Sequence, residues 1–215
     1  MKKRILIFSA DTKIGSECFE SIVEATKTNP PVLKAEIGGI VSATANGCIQ
    51  KRAERLKIPF IHFPGPYTAE SYQQIFEDSQ ADYAISTGWT KKIVGIEDNL
   101  VINTTLGPLP DCAGQYGKKM QRNIITMWRQ KKIKQSAISI HFINKDYNKG
   151  AGIIQIPVSI RPDDTEDTLL IRAAKTSHYY QIAVMNEIIK GRIYLVNEHH
   201  AFIHNKELGR FAFHG

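Results

Sequence analysis

The first hundred residues alternate between compact apolar runs and segments of helical period, and this pattern constrains the fold most. Apolar runs lie at residues 4–8, 35–42, 60–63, 82–86 and 100–103. Each is long enough for a buried strand and too short for a helix. Between them, Cys18, Phe19, Ile22 and Val23 recur at helix spacing after Gly15-Ser16. Thr28-Asn29-Pro30-Pro31 ends that helix, because proline lacks an amide and clashes with the turn before it. A second helix is predicted from a cap at Asn46 to about Lys57, and a third over residues 68–78 with Thr68 as its cap. Strands alternating with helices make a parallel sheet with helices packed on its faces.

The second half changes character. A helix is predicted over residues 115–130, followed by two runs that alternate as half-buried strands do, at 136–142 and 153–160. Residues 146–149 carry turn chemistry between them. A long helix over 166–190 is closed by Gly191, and segments 193–196 and 201–204 read as a hairpin. The predicted fold is therefore α/β and Rossmann-like, a mostly parallel twisted sheet flanked by helices with an antiparallel C-terminal part. It forms one domain over residues 1–215. Residues 1–100 make a nucleotide-binding-like half, and 101–215 the half expected to carry the chemistry. Such sheets bind ligands beyond the carboxyl ends of their strands, which selects the loops at 9–15, 88–95, 103–117 and 144–150.

Composition narrows the partners. With 28 Lys and Arg against 21 Asp and Glu, the net charge of +7 attracts anions without specifying one. Lys118, Lys119, Arg122, Arg129, Lys131, Lys132 and Lys134 surround Trp128 on a helix and its exit loop. A solvated basic face explains them, so nucleic acid is not an expected partner. No apolar run approaches the 18 residues of a membrane span, so no membrane association is expected. The basic start followed by apolar residues 5–9 is too short for a signal peptide, which favours a cytoplasmic protein. Cys18, Cys48 and Cys112 are scattered, which suits neither a disulfide framework nor a metal site. Cys112 has no neighbouring base and reads as a passive thiol.

Seven segments, in order, carry a resemblance to a known family. They include Ile40-Val41-Ser42 with Ala53-Glu54-Arg55-Leu56-Lys57-Ile58-Pro59, and Ala81–Trp89 running into a glycine turn. Asn103-Thr104-Thr105-Leu106-Gly107-Pro108-Leu109-Pro110 with Gly114 resembles the signature Asn-x-His-x-Ser-x-Leu-Pro…Gly. Ser139-Ile140-His141-Phe142 with Tyr147-Asn148-Lys149-Gly150, Glu166-Asp167, Gly191-Arg192-Ile193 and Glu198–Ile203 complete the set. The pattern resembles the folate-dependent formyltransferases, above all their glycinamide ribonucleotide branch of purine biosynthesis. The resemblance implies a formyl transferase using 10-formyltetrahydrofolate and an amine or nucleotide-like acceptor, with a homodimer possible.

That resemblance also assigns roles by position. Asn103 falls where the family binds the formyl oxygen. Thr105 occupies the place of the proton-handling histidine, and Asn148 that of the aspartate that orients it. Neither replacement titrates near neutrality, whereas formyl transfer needs a group that does. His141 and His178 fall where the family also carries histidine and are expected to be structural. Asp146 is a carboxylate two residues from Asn148. Gly88, Trp89, Thr90, Lys91 and Lys92 fall on the folate-contacting loop. Gly15-Ser16-Glu17 replaces the family's phosphate-cradling Gly-Ser-Asn, and Ser177 replaces its acceptor-amine glutamate. The losses leave two expectations: a divergent formyltransferase, or a non-catalytic folate- or nucleotide-binding member of the same fold.

Overall fold

The computed structural model describes residues 2–144 and 150–213. The chain begins with strand β1 (Lys3–Ser9), whose apolar centre, Ile5 to Phe8, is wholly buried. Helix α1 (Lys13–Lys27) follows, then β2 (Ala35–Ser42), α2 (Cys48–Leu56), β3 (Phe60–His62), α3 (Ala69–Asp78), β4 (Tyr83–Thr87) and β5 (Val101–Thr105). The second half supplies α4 (Gly117–Arg129), β6 (Ser136–Phe142), β7 (Gly152–Val158) and α5 (Glu166–Ile189). A hairpin of β8 (Ile193–Asn197) and β9 (His200–Ile203) and a short α6 (Lys206–Gly209) end it.

Seven strands form one sheet in the order β3-β2-β1-β4-β5-β6-β7. Neighbours from β3 through β5 are parallel, and β6 and β7 run antiparallel. The alternation of β1 divides the core in two. Ile5 and Ile7 join Phe19, Ile22, Ile102, Met120 and Leu169 on one face. Leu6 and Phe8 join Phe63, Tyr72, Trp89 and Val101 on the other. The strand order reverses at β1, which has β2 on one side and β4 on the other. The loops after β1 and β4 therefore part at their carboxyl ends, which opens a crevice there.

The predicted elements form with small shifts in their ends. Thr68 caps α3 through Ser71 N–H. Gly191 stops α5 at φ +68, with its own N–H on the Ile188 carbonyl and that of Arg192 on the Glu187 carbonyl, the paired bonds of a glycine stop. The last main-sheet strand ends at Val158, short of the predicted 160. One cap is corrected. Asn46 does not cap α2; it adopts φ +58, and Gly47 takes the cap position. The orphan amide of Ile49 instead donates to Asp11 Oδ1 at 2.8 Å, from the loop after β1. A nonlocal carboxylate satisfies the helix end, and Gly47 is glycine because a Cβ there would collide with that carboxylate. Among the described residues no helix is long and apolar enough to cross a membrane.

Candidate active site

A cleft of about 530 Å³ opens at the reversal point of the sheet. Three of the four selected loops border it: Ala10 and Thr12 to Gly15 after β1, Thr87 to Thr90 after β4, and Asn103 to Leu106 with Gln115 to Lys118 after β5. Helix α5 adds Leu170, Ile171, Ser177 and Gln181. Of the fourth loop, Asp146 and Asn148 lie outside the described residues.

The antiparallel pairing of β5 with β6 sets the centre of the site. Its register puts Asn103 directly opposite His141, and Thr105 opposite Ser139. Side chains at these positions share one face. Asn103 Nδ2 and Thr105 Oγ both lie 3.3 Å from His141 Nε2. His141 Nδ1 lies 2.9 Å from the Phe142 carbonyl. A carbonyl only accepts, so Nδ1 carries the hydrogen, and in the neutral form of the ring Nε2 is the acceptor. Asn103 and Thr105 border the cleft, while His141 stands behind them, 1% exposed.

A bulge aims the histidine. Ile140 faces Ile154, but His141 faces Gly152, so Ile153 is an extra residue on β7. Bulges of this kind bend a strand and redirect its side chains. Glycines make room for it. A Cβ on Gly150 would strike the Phe142 carbonyl, and one on Gly152 would strike the Phe213 ring. The loop after Thr105 is equally well held. Gln155 Oε1 accepts from Leu109 N–H at 2.9 Å and from Ser139 Oγ at 2.7 Å, and Gln121 Nε2 donates to the Leu106 carbonyl.

The β4 loop forms one wall. Ser9 and Thr87 hydrogen-bond through their hydroxyls at 3.0 Å, which ties the ends of β1 and β4 together. Gly88 has φ +67, and a Cβ there would meet only the Ala10 Cβ, at 4.0 Å. The side of Gly88 where a side chain would stand is thus open. Trp89 borders the cleft, yet it is 3% exposed and belongs to the core. Its Nε1 donates to Tyr72 Oη at 3.0 Å, and its ring packs against Phe8, Phe63 and Tyr67. Lys91 and Lys92 are exposed outside the cleft lining, with Lys91 Nζ above the Tyr67 ring at 5.2 Å.

The opposite wall is formed by α1 and α5. Gly15 and Ser177 border the cleft; Ser16 and Glu17 do not. Gly15 N–H is taken by Thr12 Oγ at 3.0 Å, and Ser16 Oγ donates to the Lys13 carbonyl. Ser177 Oγ donates to the Ala174 carbonyl at 2.7 Å. Cys18 Sγ meets His178 Nε2 at 3.2 Å, a contact that local spacing gave no sign of, since 160 residues separate the pair. Burial pushes the Cys18 thiol up to about 12 and lowers His178, so the pair is neutral at pH 7. Burial also pushes Cys112 up to about 12, which makes it a passive thiol. On the basic helix, Lys118 pairs with Asp167 and Arg122 with Glu166, so two of its cations are already countered by α5.

No family model matches the chain. One curated relative, phosphoribosylglycinamide formyltransferase, chloroplastic, from Arabidopsis thaliana, is 22% identical over 96% of this chain and 72% of its own. Glycinamide ribonucleotide transformylase 1 from Symbiobacterium toebii superposes with a TM-score of 0.80 at 16% identity, covering 95% of both chains. Phosphoribosylglycinamide formyltransferase from Coxiella burnetii gives 0.78 at 20% identity, over 95% of this chain and 94% of that one. A formyltetrahydrofolate deformylase from Pseudomonas syringae gives 0.79 at 16%, over 95% of this chain and 67% of that one. The chain thus has the fold of these formyltransferases and of the deformylase, and its sequence is similar, at low identity, to that of the plant phosphoribosylglycinamide formyltransferase.

Proposed function

We propose that this protein transfers the formyl group of 10-formyltetrahydrofolate to an amine, using Asn103 and a Thr105–His141 relay. The observation that carries the proposal is the meeting of Asn103, Thr105 and the buried His141 at the edge of the cleft. The open side of Gly88 leaves room for a flat pterin on the adjacent wall. In the reaction the amine nitrogen bonds to the formyl carbon, and the bond from that carbon to N10 of the folate breaks. The Asn103 amide donates to the developing oxyanion, a contact of the kind that contributes about 2.7–4 kcal/mol. The amine proton passes to Thr105 Oγ as the threonine hydroxyl hydrogen passes to His141 Nε2. The reverse transfer delivers a proton to N10, and no oxidant or reductant is needed. The relay gives a site with threonine at its mouth access to an imidazole.

Release of tetrahydrofolate on mixing the protein, 10-formyltetrahydrofolate and a panel of amines tests this directly. Amine-dependent release that is lost in Asn103→Ala supports transfer. Saturable binding of the folate with no turnover for any amine would instead favour a non-catalytic folate-binding protein. That second reading has its own support in the absence of a titrating side chain at position 105. The double variant Thr105→His with Asn148→Asp then separates the two. A gain in turnover shows that folate and amine already bind productively, and no gain points to another ligand.

A further inference from the structure

The part of the cleft away from Gly88 is walled by Ile14 and Cys18 of α1, Met120 of α4, and Leu170 and Ile171 of α5. Ile171 is 45% exposed and Tyr116 57%, so the apolar wall continues out to the rim. The charged residues bordering the cleft, among those described, are Lys13, Lys118 and Asp167. All three are exposed at the mouth, and Lys118 is already paired with Asp167 at 2.8 Å. Thr12 Oγ holds the Gly15 amide, and Ser16 turns its hydroxyl to the Lys13 carbonyl. Cys18 and His178 are both held neutral by burial. Among the described residues, Lys13 at the mouth is the cation left to meet a phosphate, which would lose its hydration against the apolar walls farther in. An alkyl or aromatic group would instead leave water for a matching surface.

We propose that the formyl acceptor is a primary amine with an uncharged, apolar body, which lies between α1 and α5, and that it is not a phosphorylated amine. This rests on the formyl-transfer reading above, since it takes the lobe beside Thr105 as the acceptor's place.

N-hexylformamide is the neutral product that hexylamine would give, and it serves as the probe. Calorimetry should show saturable binding that tightens about fourfold per methylene from the butyl to the hexyl formamide. Ribose 5-phosphate at the same concentrations should give none. Ile171→Asp changes an exposed rim residue that the fold tolerates. It should weaken N-hexylformamide roughly tenfold and leave a stable 10-formyltetrahydrofolate analogue unaffected. A flat chain-length series, or ribose 5-phosphate that binds and displaces the formamide, overturns the apolar acceptor. Binding of the folate analogue without any formamide overturns it too, while formyl transfer stands. If the folate analogue fails to bind, the formyl-transfer reading falls, and the acceptor assignment with it.

Discussion

Thr105 Oγ stands 3.3 Å from His141 Nε2 and borders the cleft, whereas His141 is almost fully enclosed. A relay through the hydroxyl and a merely structural contact predict different outcomes when the hydroxyl goes. Thr105→Val keeps the branched shape that suits a strand and deletes only the proton path. With general acid–base help contributing about 10²–10⁴-fold, kcat should fall by roughly that range while folate affinity holds. Thr105→Ser should keep most of the rate. His141→Gln should lower kcat similarly and abolish the acid limb of its pH profile. Stopped-flow measurement of tetrahydrofolate release across pH reads all three; an unchanged pH profile in His141→Gln sinks the relay. The sequence made Asn103 and Thr105 visible, because both sit in a local motif. His141 read as structural, since its partnership depends on the register of β5 against β6. Strand alternation places Ser139 and His141 on one face of β6, but only the pairing shows that this face meets Asn103.

Elements, more than single side chains, aim that histidine. The bulge between β6 and β7 survives because Gly150 and Gly152 leave space for the Phe142 carbonyl and the Phe213 ring. Gly150→Ala would push its Cβ into the carbonyl that receives His141 Nδ1–H. Crowding a packed site costs about 1–3 kcal/mol, and the imidazole must move with its partner. The expected result is a modest loss in urea midpoint together with a kcat loss that exceeds the change in KM. Equal activity per folded molecule would separate the bulge from the chemistry. The order and type of the predicted elements were legible because each strand and helix is written in local periodicity. Where an end depends on another loop, local signals mislead. Asn46 has the chemistry of a cap, yet Asp11, thirty-eight residues upstream of Ile49, supplies the oxygen. The Cys18–His178 contact was hidden for the same reason, since α1 and α5 meet only after the sheet is assembled.

At the scale of the whole molecule, stability is coupled to pH through the two ends of α5, the helix that covers the sheet and walls the proposed acceptor lobe. At its start, the Arg172 guanidinium hydrogen-bonds Asp164 at 2.7 Å through two nitrogens, which holds that carboxyl well below the usual range despite burial. At its end, burial raises Glu187, but hydrogen bonds from Lys190, Asn205 and Arg192 outweigh it and bring the carboxyl down to about 2. Both folded-state values lie below the ordinary carboxylate range, so each group stabilises the fold fully above about pH 4.5. That stability is lost as the pH falls toward 2, because the unfolded chain binds protons first. For Glu187 the shift corresponds to about 3 kcal/mol at most. Urea midpoints should therefore decline gently below about pH 6.5, where the unfolded chain protonates His178 before the buried ring does, and drop steeply from 4.5 to 2.5. Glu187→Gln should be less stable at pH 7 and show a shallower acid slope, and Asp164→Asn should cost about 3 kcal/mol by leaving Arg172 without its partner. If both variants kept the steep wild-type slope, the acid sensitivity would belong to other carboxylates, and α5 would not be the element through which protonation loosens the cleft.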